Sequence, residues 1–273
     1  MTNEKINMAD SPVTPGLKTK EEIIINWLPR YTGTEIEEFG EYILLTNFSN
    51  YLNIFSEMHD DAPIKGKDKP MQTCSAAGIT IINFGMGSPM AATIMDLLAA
   101  IQPKGVLFLG KTGGIRKKSK IGELVLPIAA IRGEGTSNDY FPPEVPALPA
   151  FALQKAISTT IRDYSLDYWT GTVYTTNRRV WEHDKKFKKY LKAIRAFCVD
   201  METATIFSVG FANKIPSGAL LLISDQPMIP EGVKTSESDV TVTETYVKTH
   251  LSIGIDALKQ LINNGHTVKH LKF

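Results

Sequence analysis

The chain has little of several features on which whole protein classes depend. Only two of its 273 residues are cysteine, Cys74 and Cys198, and they lack the spacing of a zinc site. Two distant cysteines predict packed free thiols in a reducing compartment rather than a disulfide scaffold. No apolar run reaches the length of a membrane span, and the polar residues 1–10 lack the apolar core of a secretion signal. These absences predict a soluble cytoplasmic protein that does not contact membranes.

An excess of either charge is also missing. Thirty Lys and Arg residues stand against twenty-nine Asp and Glu residues, so the formal net charge is +1. A near-neutral chain has no general attraction for nucleic acid, although a few cations are enough to bind one phosphate group. Histidine is sparse: His59, His183 and His250 have no companion ligands, and His266 and His270 lie near the basic C-terminus. The sequence therefore predicts neither a metal nor a cofactor.

What the chain does have is a regular alternation of strand and helix patterns. Hydrophobic residues make up 43% of the sequence, enough for one large core. Residues 1–20 are polar and aperiodic, which predicts a flexible lead-in followed by a single domain over 21–273. The predicted strands are 41–46, 78–84, 105–109, 122–131, 169–175, 197–199 and 219–223, and the predicted helices are 89–101, 151–164, 184–196, 201–211 and 243–263. This alternation predicts an α/β fold, with a mixed and largely parallel sheet covered by helices on both faces.

Two glycine motifs resemble phosphate-binding patterns, but neither has the required context. The segment Gly105–Thr112 matches G-x-x-x-x-G-K-[ST], yet residues 106–109 are themselves the predicted strand and Gly113-Gly114 cannot begin a helix. We therefore predict a strand that ends in a glycine-rich turn, where Gly110 lets a substrate approach the backbone. The Gly85-Met86-Gly87 motif lacks a third glycine, so it predicts either a tight turn or a ligand contact at Gly87.

The stretch Val199-Asp200-Met201-Glu202 carries the strongest chemical signal. Both acids follow a short buried strand and begin a helix, so capping of the helix N-terminus is one interpretation. Capping does not account for the methionine between them. A carboxylate beside an apolar side chain suits a sugar, because the hydroxyls bind the acid while the carbon face packs on sulfur. The pattern therefore favours a sugar-binding role for Glu202.

A second acid, Asp225, ends the apolar run 219–223 within Ser224-Asp225-Gln226-Pro227. Partial desolvation at the end of a buried strand favours the neutral carboxyl group, which makes Asp225 a candidate proton donor. A loop cap is the alternative interpretation. In open α/β sheets, ligands collect outside the carboxyl ends of strands, so we expect both acidic segments at one site.

Four segments, taken in order, resemble the nucleoside phosphorylase and nucleosidase superfamily. They are Phe84-Gly85-Met86-Gly87, Leu109-Gly110 with Gly113-Gly114, Val199-Asp200-Met201-Glu202 and Ile223-Ser224-Asp225. Leu44-Leu45-Thr46-Asn47, residues 170–176, Trp181-Glu182 and Ser224–Pro227 resemble more narrowly the catalytic domain of the AMP nucleosidases. The resemblance covers residues 40–265 and implies the three-layer architecture of the superfamily.

The resemblance implies hydrolysis of AMP to adenine and ribose 5-phosphate. Asp225 matches the general acid that protonates purine N7, with Ser224 beside it. Glu202 matches the residue that holds the ribose hydroxyls, and Met201 the residue that packs on the sugar. Asp200 stands where phosphorylases often have glutamate, which leaves its role open.

One departure from the superfamily pattern favours water over phosphate as the nucleophile. Phosphorylases bind phosphate with a Gly-Asp-Pro turn and a nearby arginine after the first strand, whereas this chain has Thr46-Asn47-Phe48-Ser49 there and no arginine between Tyr31 and Ile115. A buried phosphate dianion without such donors is poorly compensated. Thr46 and Asn47 are therefore expected to position water.

The 5′-phosphate of AMP requires cations, and the candidates are Arg132, Arg179 and Lys111. Arg178 is interpreted as a surface charge. Trp181 and Tyr174 are candidates for stacking on adenine, with core packing as the alternative. The proline-rich segment 133–149 predicts a long loop whose Tyr140 and Phe141 close over the site.

Two other functions remain open. One is a purine nucleoside phosphorylase, or a nucleosidase that acts on unphosphorylated nucleosides. The other is a nucleotide-binding sensor with the same fold. The resemblance also implies a homohexamer built as a trimer of dimers. The additional N-terminal regulatory region of larger AMP nucleosidases has no counterpart in this length, so activation by nucleotides is not expected.

Overall fold

The computed structural model describes residues 18–263, which form nine strands, seven α-helices and four short 3-10 helices. The strands are β1 (Tyr42–Thr46), β2 (Ile64–Lys65), β3 (Gln72–Ala76), β4 (Ile79–Asn83), β5 (Gly105–Gly114), β6 (Leu124–Gly133), β7 (Tyr168–Thr176), β8 (Cys198–Asp200) and β9 (Ser217–Asp225). The helices are α1 (Lys20–Thr32), α2 (Ser49–Glu57), α3 (Ser88–Leu97), α4 (Phe151–Asp163), α5 (Lys185–Ala193), α6 (Thr203–Ala212) and α7 (Ser236–Asn263).

All nine strands belong to one mixed sheet organised around β5. One edge of β5 pairs with β1 and then, at its last two residues, with β8, while the opposite edge pairs with β9. Because β9 also pairs with β6, β6 with β7 and β7 with β8, these four strands and β5 close into a ring. The mixed sheet was predicted, but the closure was not, since nothing in the sequence indicates which edges pair.

Helices cover both faces of the sheet. One core cluster joins the sheet to α1, α3 and α6, through residues such as Leu28, Met95 and Phe207. A second cluster joins the opposite face to α2, α4 and α7, through residues such as Phe55 and Leu153. The predicted α/β fold with three layers is therefore confirmed. The buried residues 203–210 of α6 include no charged side chain, which explains why this helix packs against the centre of the sheet.

The largest differences from the predicted elements lie near the N-terminus. Helix α1 was not predicted, and its start overlaps the end of the predicted lead-in. Thr19 caps the helix in a reciprocal capping box with Glu22, and Lys20 is its first residue. The rest of the lead-in, residues 1–17, and the last residues of the predicted domain, 264–273 with His266 and His270, lie outside the described residues.

Further along the chain, α2, β2 and β3 were also missed, because short or interrupted apolar runs carry little periodic signal. β5 extends to Gly114, so one strand spans the whole G-x-x-x-x-G-K-[ST] match and its lysine does not open a helix. Helix α7 begins at Ser236, before the predicted start. Within residues 18–263, no helix combines the length and hydropathy needed to cross a membrane.

Candidate active site

The candidate site is a cleft where β5, β8 and β9 meet. Gly113 in β5 pairs with Val199 in β8 and with Asp225 in β9, so two strands of opposite direction meet at one glycine. A Cβ atom at Gly113 would lie 2.9 Å from Pro227 Cγ and 3.2 Å from Val199 Cγ1. The absence of a side chain there therefore lets the two acidic segments approach each other. The carboxylates that line the cleft are Glu182, Asp200, Glu202, Asp225 and Asp239, and the cations are Lys111, Arg178, Arg179 and Lys234.

Asp200 is buried and uses both of its carboxylate oxygens within the protein. Its Oδ1 accepts a hydrogen bond from Thr175 Oγ1 at 2.7 Å. Its Oδ2 accepts from the backbone N–H of Thr203 at 2.9 Å and also from the Thr203 hydroxyl. Burial raises the pKa of Asp200, and these hydrogen bonds oppose that rise. With both oxygens engaged, Asp200 fixes the junction of β7, β8 and α6 and influences the cleft through its charge.

Glu202 is also buried, but its hydrogen bonds leave part of each oxygen available. Oε1 accepts from the backbone N–H of Gly87 at 2.7 Å, and Oε2 accepts from that of Met201 at 3.2 Å. Burial and the neighbouring charge of Asp200 raise the pKa of Glu202 to about 8. The side-chain amide of Asn47 also bonds this carboxylate and opposes the rise. Gly87 has a φ of 93°, which a residue with a side chain rarely adopts, so glycine is required to aim this N–H.

Asp225 has one internal donor. The Ser224 hydroxyl donates to its Oδ1 at 2.7 Å, and no hydrogen bond from residues 18–263 reaches its Oδ2. Burial is the largest cause that raises the pKa of Asp225, although Ser224, Lys234 and Arg179 oppose the rise. A proton on this carboxyl group therefore sits on Oδ2. The arrangement can donate that proton to a group in the cleft.

Apolar side chains give the cleft a hydrophobic side. Met201 lines it next to Glu202, and Met86 and Phe48 line it from the ends of β4 and β1. Trp181 is buried and lines the cleft, with its ring edge-on to Phe187 at 5.3 Å between centroids. Apolar surface beside carboxylates is the combination expected for a sugar and an aromatic base.

Several residues predicted from the sequence do line the cleft. Asp225, Glu202, Met201, Asp200, Ser224, Trp181, Arg179, Lys111 and Asn47 all do so. Gly87 contacts the cleft indirectly, through its hydrogen bond to Glu202. Thr46 is fully buried just before Asn47, and its Oγ1 has no hydrogen-bond partner in the described part of the chain. The backbone at the end of β1 thus presents Asn47, rather than Thr46, to the cleft.

The structure corrects the prediction that Arg132 binds the phosphate. Its guanidinium donates to the carbonyl oxygens of Ser137, Phe141, Pro142 and Val145 at 2.6 to 2.9 Å, and also to two side chains. These bonds use all of its nitrogen atoms to hold the proline-rich loop, and Arg132 does not line the cleft. The cause lies in the loop itself, which folds back over the end of β6.

Four aromatic and glycine predictions are also corrected. Tyr174 packs edge-on against Phe187 and Tyr190, away from the cleft. Gly110 lies in the core, where a Cβ atom would approach the Phe108 ring to 2.5 Å. The two loop aromatics do not close over the cleft: the Tyr140 hydroxyl donates to Asp96 at 2.6 Å, and Phe141 packs on Phe211.

Sequence reasoning missed Phe48, Lys234 and Asp239, and it dismissed Arg178 as a surface charge. Arg178 lines the cleft while it pairs with Asp184 at 3.1 Å. Lys234 lies in the segment before α7 and Asp239 in the first turn of α7, far along the chain from most other cleft residues. No motif marks them, so only the tertiary contacts reveal their position. Residues 18–263 contain no group of three or more His, Cys, Asp and Glu side chains that could hold a metal ion.

The chain was compared with protein families, curated proteins and solved structures. A family model described as the phosphorylase superfamily matches residues 41–259. AMP nucleosidase from Escherichia coli K12 is 29% identical to this chain over 284 aligned residues, which cover 87% of this chain and 58% of that protein. The chain thus spans less than two thirds of the length of this curated relative.

Two solved structures extend the comparison. The crystal structure of AMP nucleosidase from Bacteroides thetaiotaomicron VPI-5482 is 56% identical, covers 90% of this chain and 99% of that one, and superimposes with a TM-score of 0.81. A uridine phosphorylase structure from Vibrio fischeri ES114 is 21% identical and has a TM-score of 0.71, with 82% of this chain and 93% of that chain covered. The second likeness shows a shared fold. Together with the family model, these findings establish that the chain belongs to the phosphorylase superfamily.

Proposed function

We propose that the protein hydrolyses the N-glycosidic bond of AMP, releasing adenine and ribose 5-phosphate. The observation that carries the proposal is that one cleft brings together the carboxyl group of Asp225, the carboxyl group of Glu202 beside Met201, and four cations. These groups suit the base, the sugar and the phosphate of a nucleotide, in that order. The 56% identity to an AMP nucleosidase of known structure supports the choice of AMP.

In the proposed reaction, Asp225 donates its Oδ2 proton to N7 of adenine as the C1′–N9 bond breaks and its electron pair moves into the base. Water adds to C1′, and the proton it loses restores Asp225. Proton donation of this kind contributes about 10² to 10⁴ in rate. The Ser224 hydroxyl, which holds Oδ1 at 2.7 Å, orients the carboxyl group for this transfer.

Glu202 is proposed to accept hydrogen bonds from the ribose hydroxyls, with Met201 packed on the sugar. Asp200 is proposed as a positioning residue, because the protein already occupies both of its oxygens. Trp181 is proposed to contact adenine, and Asn47 to hold the attacking water. We propose Lys111, Lys234, Arg178 and Arg179 as the cations that balance the phosphate.

We further propose one catalytic domain over residues 21–273, a role in purine salvage, a cytoplasmic location and a homohexamer formed as a trimer of dimers. Both cysteines are buried and free, which supports a reducing compartment. Exposed apolar residues such as Phe151, at 65% exposure, and Phe211, at 68%, support burial between subunits.

The test is to measure released base and sugar from AMP, adenosine and IMP, with and without inorganic phosphate, using the wild type and Asp225→Asn. We expect adenine and ribose 5-phosphate from AMP alone, without a requirement for phosphate, and a kcat lowered about 10² to 10⁴-fold in the variant. Ribose 1-phosphate produced from a nucleoside would instead identify a phosphorylase. Tight AMP binding without turnover would identify a sensor.

A further inference from the structure

Two lysines of the cleft share one carboxylate that has no part in the proposed reaction. Lys111 lies in β5 and Lys234 in the segment before α7, and each Nζ lies 3.0 Å from the same atom, Oδ1 of Asp239. Lys111 Nζ also donates to Thr243 Oγ1 at 2.9 Å. The two ammonium groups lie 4.6 and 6.0 Å from the centroid of the Phe48 ring. We call Lys111, Lys234 and Asp239 the lysine–aspartate cluster.

The cluster is buried unevenly. The Lys111 side chain is only 2% exposed, whereas that of Asp239 is 39% exposed. Burial lowers the pKa of Lys111, and the hydrogen bond and charge of Asp239 oppose this change. Partial burial raises the pKa of Asp239, but the two lysines outweigh it and hold this pKa below its ordinary value. Asp239 is therefore a carboxylate that keeps a buried cation charged, at the open side of the cleft.

The two lysines form an anion-binding site that the carboxylate of Asp239 occupies. Two cations and one anion leave one positive charge, and a single oxygen serves both ammonium groups. A phosphate group offers more acceptor oxygens and more negative charge than a carboxylate, so it satisfies both lysines better. A neutral group gives no such compensation for breaking the two ion pairs.

We propose that Asp239 occupies the position of a bound phosphate group and competes with it for Lys111 and Lys234. This inference rests on the proposed function, since it assigns the regulation of the same cleft. The competing carboxylate weakens the binding of every ligand that carries a phosphate group. It also makes binding depend on the negative charge of the ligand, because only a charged group can replace Asp239 at the two lysines. The cluster therefore discriminates a nucleotide from the nucleoside without its phosphate. The phosphate is either that of the sugar phosphate or free inorganic phosphate.

The test is Asp239→Asn in the full chain, with calorimetric titrations of ribose 5-phosphate, inorganic phosphate and adenosine at pH 7. Once the carboxylate no longer competes, we expect phosphate ligands to bind about tenfold more tightly, the effect of one charge-assisted hydrogen bond. Adenosine affinity should not change. Glu237→Gln is the matched control: it removes the same charge from the same turn of α7, where the side chain is exposed and lies outside the cleft.

Tighter binding of ribose 5-phosphate alone assigns the cluster to the sugar phosphate, and tighter binding of inorganic phosphate as well assigns it to a general phosphate position. Weaker or unchanged binding of both ligands by a variant that unfolds like the wild type would overturn the proposal. Lys234→Met should weaken phosphate binding, and failure to do so would also overturn it. These titrations need no turnover, so a protein that does not hydrolyse AMP still tests the competition.

Discussion

Removal of the Thr175 hydroxyl should destabilise the protein strongly, because that hydroxyl serves two buried partners. Thr175 is fully buried. Its Oγ1 donates a hydrogen bond to Asp200 Oδ1 at 2.7 Å and accepts one from the Ala204 N–H at 2.9 Å. In Thr175→Val, the lost hydrogen bond to a charged acceptor costs about 1.5–3 kcal/mol and the unpaired N–H about 1–3 kcal/mol. The sum, roughly 2.5–6 kcal/mol, is a large part of the ~5–15 kcal/mol that stabilises a typical protein.

The loss should also depend on pH. Burial raises the pKa of Asp200, and the Thr175 hydrogen bond opposes that rise. Without this bond the pKa of Asp200 rises further, so the folded variant retains a proton that the unfolded chain has released. Stability falls with rising pH wherever the folded state binds more protons than the unfolded state. The variant should therefore lose stability more steeply than the wild type as pH rises, and the difference between them should shrink in acid.

The assay is urea unfolding of wild type and Thr175→Val at pH 5 and pH 8, with the free energy of unfolding extrapolated to water. Thr170→Val is the matched control, since Thr170 lies on the same strand with an exposed side chain. The reasoning is refuted if Thr175→Val costs less than about 2.5 kcal/mol at pH 8, the lower end of the expected sum. A larger loss at pH 5 than at pH 8, or an equal loss in Thr170→Val, would also refute it.

Three further predictions are tested by urea unfolding, the first of them also by kcat. Gly113→Ala should cost about 1–3 kcal/mol and lower kcat, because its Cβ would lie 2.9 Å from Pro227 beside the acidic loop. Burial lowers the pKa of His250 to about 4, so wild-type stability should fall from pH 6.5 to 4, and His250→Gln should flatten this fall. Burial raises the pKa of Asp96, but Lys20, Tyr140 and Asn213 outweigh it and hold this pKa below its ordinary value, so Asp96→Asn should cost about 1–3 kcal/mol at neutral pH, and the difference should shrink as pH falls below 3.8.

The sequence predicted both acidic segments of the cleft because each is a local pattern, an apolar strand that ends in a carboxylate. The sequence does not show why the two acidic segments lie next to each other. We expected both segments at one site of a largely parallel sheet, without predicting how their strands pair; in the structure β8 runs antiparallel to β5 while β9 runs parallel to it. The segments converge because Val199 and Asp225 pair with the same glycine, Gly113, in the closed part of the sheet. Strand closure is a property of edge pairing, which residue periodicity does not encode.

The phosphate-binding cations, in contrast, could not be predicted from residue type alone. Arg132 was a candidate because arginine suits phosphate, but its donors are consumed by a loop that follows it closely in the chain. Lys111 was also a candidate, and it does lie in the cleft. Its partner Asp239 is 128 residues away, so no local pattern connects the two. Candidate ligands in a sequence therefore become useful only when the competing internal partners of each donor are known.

The same argument separates the acids of the cleft from one another. Asp200 and Asp225 both end buried strands, and burial raises the pKa of each. Asp200 receives hydrogen bonds on both oxygens from Thr175 and Thr203, whereas Asp225 receives one, from Ser224 on Oδ1. Donors favour the charged carboxylate and consume the lone pairs that a ligand would need. The internal donors therefore make Asp200 a structural group whose oxygens are both occupied, and they leave Asp225 with an oxygen that can carry a proton to a leaving group.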